Sequence, residues 1–179
     1  MPKAGACQHL VQFYESEADL ARTLDEFAGA GLEAGEGVVL IATEAHLDSL
    51  ERTLAARGLD LDRLRAADRY IPLDAEKLFE LFMVQGRFES AGFFEIVGNA
   101  LHRCVRASPA VRVFGEVVAL LWARKHYVVA LQLEQAWQEQ SKARNISVLC
   151  SYPWSGFADE DLARTIPDIC AAHTHAVFQ

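Results

Sequence analysis

The sequence has few positive charges and no run of them. Its 17 Lys and Arg residues are outnumbered by 25 Asp and Glu residues, and the formal net charge is −8 at pH 7. Arg63 and Arg65 lie close together, but Asp60 and Asp62 beside them dilute their charge. Binding to nucleic acid or to an anionic membrane surface requires a basic face that neutralises phosphates. We therefore expect no direct nucleic-acid partner and no membrane partner.

The sequence also lacks long apolar runs and closely spaced cysteines. No segment of roughly 18 consecutive apolar residues is present, which argues against a transmembrane helix, and Met1–Val11 has no secretory signal pattern. The cysteines Cys7, Cys104, Cys150 and Cys170 show none of the short spacings of a metal site or a redox pair. We therefore expect reduced, mostly buried thiols in a cytoplasmic protein.

The histidines form no metal-binding motif. His173 and His175 are two residues apart, so on a helix they face different directions, whereas on an extended tail they would share one side. We expect a frayed helix end there. The remaining histidines have no ligand spacing: His9, His46, His102 and His126. The sequence thus predicts no metal ligands and no cofactor.

Glycine-rich loops that bind phosphates are missing. Between the first predicted strand and helix the chain reads FYESEADLA, which has neither glycine nor lysine, and Glu15 would repel a triphosphate. No GxGxxG sequence follows a strand, and no GxSxG nucleophile motif is present. We therefore assign no catalytic residue.

Short β-rich segments alternate with longer helical periods along the chain. The unbroken apolar run Val38–Thr43 is typical of a strand buried on both sides. The predicted strands are His9–Tyr14, Val38–Thr43, Arg69–Leu73, Val111–Phe114 and Ile146–Tyr152. The predicted helices are Glu17–Leu32, Glu44–Arg57, Ala75–Val84, Phe93–Val105, Val117–Trp122, Tyr127–Arg144 and Asp159–His173. Strands separated by helices imply crossover connections, so residues 1–179 are expected to form one three-layer α/β/α domain with a mainly parallel central sheet.

Acidic residues follow four of the predicted strands: Glu15, Glu44, Asp74 and Glu116. In a parallel sheet these strand ends share the edge where ligands bind. Acids are also favoured at N-caps and in first helical turns. We expect Asp74 to cap the following helix and Ser16 to form a capping box with Asp19. Glu44 fits a first-turn role and a site role equally well.

Glu116 is the strongest candidate for a site residue. It lies in VRVFGEVVALLW (111–122), where an apolar strand becomes an apolar helix. A carboxylate buried there needs a hydrogen-bonding or charged partner, or must face a water-filled cleft. Aromatic residues in FYES and YPW, at the same edge, would supply apolar walls. The predicted ligand-binding residues are Tyr14, Glu15, Ser16, Glu44, Glu116, Tyr152 and Trp154.

A set of segments in a fixed order resembles the MEDS domain, a sensory domain of methanogen and methylotroph regulators such as DcmR. They are HLVQFYES at 9–16, GLEAGEGVVLIATEAHLDSLERTLAARGLDL at 31–61, YIPLDAEKLFELFM at 70–83, VRVFGEVVALLW at 111–122 and LCSYPW at 149–154, followed by Ile169, Cys170 and His173. SYPW and Val117 depart from the family pattern, in which Ala and Met often flank the YP and Met is common at the position of Val117. Both departures would alter the shape of a pocket.

The resemblance implies a RecA/KaiC-like scaffold without its phosphate loop. Glu44 matches the catalytic glutamate of KaiC-like ATPases, and VRVFGE occupies the place of their metal-binding strand. The family is thought to sense small organic molecules such as simple hydrocarbon derivatives. The implied partner is a separate regulatory protein, namely a kinase, a transcription factor or a sigma-factor regulator. A homodimer is also compatible with the resemblance.

Two other functions stay open at this point. A divergent metal-assisted nucleotide hydrolase would use the strand-end acids to hold Mg²⁺. ATP turnover that is lost when Glu44 or Glu116 is changed to Gln would favour that function. An interaction module without a ligand would use the acids only as helix caps, and would carry a sizeable apolar surface patch.

Overall fold

The structure is a computed structural model that describes residues 8–85, 87–144, 146–158 and 160–178. Its strands are β1 (Gln8–Tyr14), β2 (Gly37–Ala42), β3 (Tyr70–Asp74), β4 (Met83–Val84), β5 (Arg87–Phe88), β6 (Val111–Gly115), β7 (Ile146–Pro153) and β8 (His175–Phe178). Six of the described strands form one sheet in the order β3-β2-β6-β7-β1-β8, and all its pairings are parallel. β4 and β5 form a separate antiparallel pair.

The helices are α1 (Glu17–Leu24), α2 (Ala30–Glu33), α3 (Glu44–Ala56), α4 (Leu61–Ala66), α5 (Ala75–Phe82), α6 (Ser90–Ala107), α7 (Val117–Ala123), α8 (Tyr127–Arg144), α9 (Glu160–Ala163) and α10 (Ile166–Ala171). A π-helical segment, Asp25–Gly29, joins α1 to α2, and a 3-10 turn, Trp154–Phe157, follows β7. None of the described helices combines the length and the apolar composition needed to cross a bilayer.

The helices cover both faces of the sheet because the chain reverses its direction across the strand order. It passes from β1 to β2 and β3, and then returns through β6 and β7 to the far edge at β8. Right-handed crossovers place helices on opposite faces for the two directions. Leu20, Leu54 and Leu64, from α1, α3 and α4, pack on what we call the first face. Phe79 and Leu133, from α5 and α8, pack on the second face. This confirms the predicted three-layer architecture.

Strand β2 shows how the sequence specifies this burial. All six of its residues are buried, as the unbroken apolar run predicts. Successive side chains of a strand point to opposite faces. Val38 and Leu40 therefore pack into the core of the first face, and Val39 and Ile41 into that of the second.

The C-terminal segment differs from the prediction. The single helix expected over 159–173 is wrong, because α9 and α10 are separate; Asp159 itself lies outside the described residues. Pro167 lies in the first turn of α10. Proline lacks an N–H and clashes with the carbonyl four residues earlier, so it starts a helix rather than continuing one. The tail then becomes β8, which pairs with β1. The sequence patterns also did not predict α4 or the β4–β5 pair.

Candidate functional site

The strand-end acids share one edge of the sheet but are spread along it. β3 and β1 are four positions apart in the strand order, so at about 4.8 Å per strand their ends are separated by roughly 19 Å. Asp74, at the end of β3, is therefore remote from Glu15, which follows β1. Glu44 and Glu116 follow the neighbouring strands β2 and β6.

Glu116 lies where the helices that follow two neighbouring strands leave toward opposite faces of the sheet. Helix α3 leaves β2 toward the first face, whereas α7 leaves the adjacent β6 toward the second face. Ligands of open α/β sheets bind in the crevice that such a divergence creates. Glu116 is the N-cap residue of α7, directly after β6, and it is only 6 % exposed to solvent.

The buried Glu116 carboxylate has partners on α3. Its Oε2 accepts a hydrogen bond of 2.8 Å from the backbone N–H of Thr43, the N-cap residue of that helix. Its Oε1 lies 2.9 Å from Nδ1 of His46, and Thr43 Oγ1 lies 2.9 Å from the same nitrogen. The carboxylate is thus hydrogen-bonded on both oxygens, which offsets much of the cost of its burial.

His46 joins Glu116 to a second carboxylate at the surface. Its Nε2 lies 2.7 Å from Oε2 of Glu17, whose side chain is 75 % exposed. The hydrogen bond and charge of Glu116, with a further contribution from Glu17, outweigh burial and raise the pKa of His46 from 6.5 to about 9. The ring is therefore an imidazolium at neutral pH, and it donates to both carboxylates. We call Glu17, Thr43, His46 and Glu116 the rim cluster.

Tyr14 borders the rim cluster on the first face. Burial, followed by the negative charges of Glu17 and Glu116, raises the pKa of its hydroxyl well above the usual range. The phenol therefore stays neutral. Of the predicted site residues, Tyr14 and Glu116 are the two that the structure brings to the rim cluster.

The other predicted residues at the strand ends have local roles. Ser16 and Asp19 form the predicted capping box: Ser16 Oγ accepts from the Asp19 N–H, and the Asp19 carboxylate accepts from the Ser16 N–H. Asp74 caps α5, as predicted. Glu15 is exposed. Glu44 is an exposed acid in the first turn of α3, and its charge, after that of Asp74, helps raise the pKa of Lys77.

Tyr152 and Trp154 pack on the opposite face of the sheet from Tyr14. Tyr152 is fully buried in the core of the second face, whereas Tyr14 packs in the core of the first, so the two tyrosines do not line one wall. Trp154 is partly buried and stacks on Phe13, with ring centroids 5.1 Å apart. The Tyr152 hydroxyl donates a 2.7 Å hydrogen bond to Oε1 of Glu134.

Glu134 belongs to a second polar cluster, buried on the second face. Its Oε2 lies 3.2 Å from Nε2 of His9 and 3.2 Å from Nε2 of His173. Sγ of Cys150 lies 3.5 Å from Nε2 of His9. We call His9, Glu134, Cys150 and His173 the buried cluster. Among the described residues, it is the group whose His, Cys, Asp or Glu ligand atoms lie close enough together to hold a metal ion.

The electrostatics of the buried cluster favour a charged Glu134. Burial alone would raise the pKa of this carboxyl, but His173 and His9 beside it lower the pKa well below its usual range. Burial and the charge of Glu134 raise the pKa of the Cys150 thiol well above its usual range. The expectation of a frayed helix end at His173 is wrong, because this residue is buried.

Sequence reasoning missed both sets of partners. His46 and Glu17 had no motif, although each lies within three residues of a predicted site residue. His9 begins the first predicted strand, Cys150 lies inside the last one, and Glu134 follows Leu133 on a predicted helix; this apolar context was the available signal. Cys104 and Cys150 are buried free thiols and Cys170 is a partly buried one, as predicted; Cys7 lies outside the described residues.

A cleft of about 220 Å³ lies between α6 and α8 on the second face. Five apolar side chains and Gln132 line it: Phe88, Phe94, Val129, Leu133 and Ala136. A cleft of this composition suits a small apolar molecule.

Comparison with known proteins gives one family. A search of curated proteins finds no match. The family model described as "MEDS: MEthanogen/methylotroph, DcmR Sensory domain" matches residues 8–174, which include both clusters. The chain therefore belongs to the MEDS family of sensory domains.

Proposed function

We propose that this sensory domain recognises a small polar or cationic organic molecule at the rim cluster and passes the signal to a regulatory protein. The observation that carries the proposal is the buried Glu116 carboxylate beyond the adjacent ends of β2 and β6, linked through His46 to solvent-exposed Glu17. The carboxyl ends of neighbouring strands whose helices diverge are the usual ligand position of an open α/β sheet. Membership of the MEDS family supports the sensory role.

The chemistry of the rim cluster favours a ligand that replaces the imidazolium. His46 supplies a positive charge and hydrogen-bond donors to two carboxylates. A ligand with an amino group or several hydroxyl groups offers the same donors, so it would compete with His46 for Glu116. Because His46 is on α3 and Glu17 on α1, displacement of the ring would favour a different arrangement of these helices.

The signal would then pass from this surface to a separate kinase, transcription factor or sigma-factor regulator, the partner classes that the family resemblance implies. Glu17 and the first two residues of α3, Glu44 and Ala45, are exposed, so a change there reaches the surface directly. The proposal needs no catalytic residue. The Mg²⁺-dependent hydrolase finds less support, because Glu15, Glu44 and Glu116 are not among the described residues that could jointly hold a metal ion.

A thermal-shift screen tests the proposal. Small amines, amino alcohols, polyols, alcohols and simple hydrocarbon derivatives are added to the wild type and to Glu116→Gln. We expect a compound that raises the Tm of the wild type to lose that effect in Glu116→Gln, because the amide carries no charge for it to neutralise. Asp48→Asn is the matched control, since Asp48 is an exposed acid on the same helix as His46. An undiminished shift in Glu116→Gln would contradict the proposal.

The apolar cleft is a second candidate position for the ligand. Its five apolar side chains favour a simple hydrocarbon derivative over a charged molecule. Replacing Ala136 with Leu would fill the cleft while leaving the rim cluster intact. A compound whose stabilising effect is lost in Ala136→Leu and kept in Glu116→Gln would place recognition in the cleft.

A further inference from the structure

Three separations within the buried cluster match those of a tetrahedral metal site. Metal-to-ligand distances of about 2.0–2.3 Å give a tetrahedron with edges of roughly 3.4 Å between nitrogen and oxygen and about 3.6 Å between nitrogen and sulfur. The two separations between histidine Nε2 and Glu134 Oε2 are 3.2 Å, and that between Cys150 Sγ and His9 Nε2 is 3.5 Å. All four ligand atoms lie within 4.8 Å of one another.

Both histidines are oriented by the nitrogen that faces away from the cluster. His9 Nδ1 lies 3.0 Å from the carbonyl oxygen of Ala172, and His173 Nδ1 lies 2.6 Å from that of Ile169. A carbonyl oxygen only accepts, so each Nδ1 carries the proton and donates it. In a neutral ring this leaves the lone pair on Nε2, which points at Glu134. Metal-binding histidines are oriented by the same type of backbone contact.

This arrangement leaves the buried cluster short of hydrogen-bond donors. With neutral rings, the Cys150 thiol, 3.5 Å from His9 Nε2, is the donor within the cluster, against three acceptors: Nε2 of His9, Nε2 of His173 and Oε2 of Glu134. Within the part of the chain that the structure describes, Glu134 Oε2 and His173 Nε2 have no hydrogen-bond partner, although they lie 3.2 Å apart. Protonating both rings would place two cations in a dry interior with ring centroids 3.9 Å apart. A cation between the acceptors satisfies all of them at once.

The charge and the surroundings also match a divalent ion. The Glu134 carboxylate and a Cys150 thiolate carry two negative charges, so a divalent ion with two neutral imidazoles gives a neutral set in the core. Binding would release the thiol proton to solvent. The Tyr152 hydroxyl donates to Glu134 Oε1, which holds the carboxylate with Oε2 toward the cluster.

We propose that His9, Glu134, Cys150 and His173 bind one zinc ion in a closed, structural site. Nitrogen, oxygen and sulfur ligands in a tetrahedral set are typical of zinc. The side chains of His9, Glu134 and His173 are fully buried, and so is Cys150, so the site has no open position for a substrate. The ion would join β1, β7, α8 and the segment between α10 and β8. This inference does not depend on the ligand proposed for the rim cluster.

Metal analysis of tag-free protein, purified from zinc-supplemented medium, is the first test. We expect about one zinc ion per chain, as for structural zinc sites generally. Cys150→Ser and His173→Gln should lose most of this zinc. Cys104→Ser should keep it, because Cys104 is a buried free thiol outside the buried cluster. Zinc content in Cys150→Ser equal to that of the wild type would overturn the proposal.

Cobalt substitution is the second test, and it needs no variant to fold. Wild-type protein treated with a chelator is titrated with Co²⁺. We expect a thiolate-to-cobalt charge-transfer band and the intense visible bands of tetrahedral cobalt, saturating at about one ion per chain. A folded Cys150→Ser should lose the charge-transfer band, and chelator should lower the wild-type Tm. If neither the charge-transfer band nor the visible bands of tetrahedral cobalt appear, the proposal is overturned. Stoichiometric iron or copper in place of zinc in the purified protein would overturn the choice of metal.

Discussion

Replacing Glu116 with Gln should remove a pH-dependent part of the stability. In the folded chain the pKa of His46 is about 9 against 6.5 for an unperturbed histidine, chiefly because of its hydrogen bond to Glu116. A group whose pKa is raised on folding stabilises the protein fully below its unfolded pKa and loses this contribution as pH rises through its folded pKa. The wild type should therefore lose stability between about pH 6.5 and about pH 9.

The magnitude follows from the two pKa values. Each pKa unit corresponds to about 1.4 kcal/mol, so the change from 6.5 to about 9 sets a ceiling of about 3–4 kcal/mol. The Glu17 side chain is three-quarters exposed, so solvent screens its contribution to the pKa shift of His46. We therefore expect the wild type to lose about 2 kcal/mol in free energy of unfolding between about pH 6 and about pH 8.5 through this group.

Buried cysteines would add a loss of the same sign at higher pH. Burial raises the pKa of Cys104 to about 11, so its thiol stays protonated in the folded chain but ionises earlier in the unfolded one. The measurement is therefore the difference between wild type and Glu116→Gln, in which the cysteine contributions cancel.

Urea unfolding at several pH values between about pH 6 and about pH 8.5 measures this difference. The wild type should be more stable than Glu116→Gln at the acidic end, and the gap should close as pH rises. Glu44→Gln is the matched control, because Glu44 is an exposed acid on the same helix as His46, and it should follow the wild type. A constant gap between wild type and Glu116→Gln across this range would refute the ion pair.

Three further stability predictions follow from local geometry. In Gly31→Ala the new Cβ would lie 2.8 Å from Cδ of Arg112, so we expect a loss of about 1–3 kcal/mol in free energy of unfolding. In Gly98→Ala the new Cβ meets none of the described atoms outside the nearby backbone of α6 within 4 Å, so we expect a gain of up to about 1 kcal/mol, and urea unfolding compares the two variants. Ser16→Ala removes the capping-box hydroxyl and should cost about 1 kcal/mol, and an unchanged urea midpoint would contradict its capping role. Tyr152→Phe leaves an oxygen of a buried carboxylate without its donor and should cost about 1–3 kcal/mol by the same assay, and wild-type stability would mean that this hydrogen bond is not needed.

The layer architecture was predictable because it depends on neighbours in the sequence. The run Val38–Thr43 is apolar at every position but the last, which identifies a doubly covered strand, and helical periods between strands require crossovers. The family resemblance identified the domain because it, too, depends on short local segments of the sequence. The end of the chain was harder to predict, since β8 is short and becomes a strand through its pairing with β1.

The candidate site was predictable only at Glu116 and Tyr14. A carboxylate between two apolar segments indicates a special environment, and Glu116 has one. The other strand-end acids carried the same signal, but Asp74 is a helix cap and Glu15 and Glu44 are exposed. Whether a strand-end acid caps the next helix depends on its neighbours in the chain, whereas whether it pairs with a distant side chain depends on the strand order. The same sequence pattern therefore precedes both outcomes.

The sequence by itself determined the alternation of strands and helices, the burial of β2 and the family. The tertiary structure alone decided which polar groups meet. Glu116 and His46 are 70 residues apart, and they touch because β6 inserts beside β2. His9 and Glu134 come together only because α8 packs across β1. Periodicity reports which face a residue occupies, but contact between distant residues depends on strand order and on the packing of layers, which no local pattern encodes.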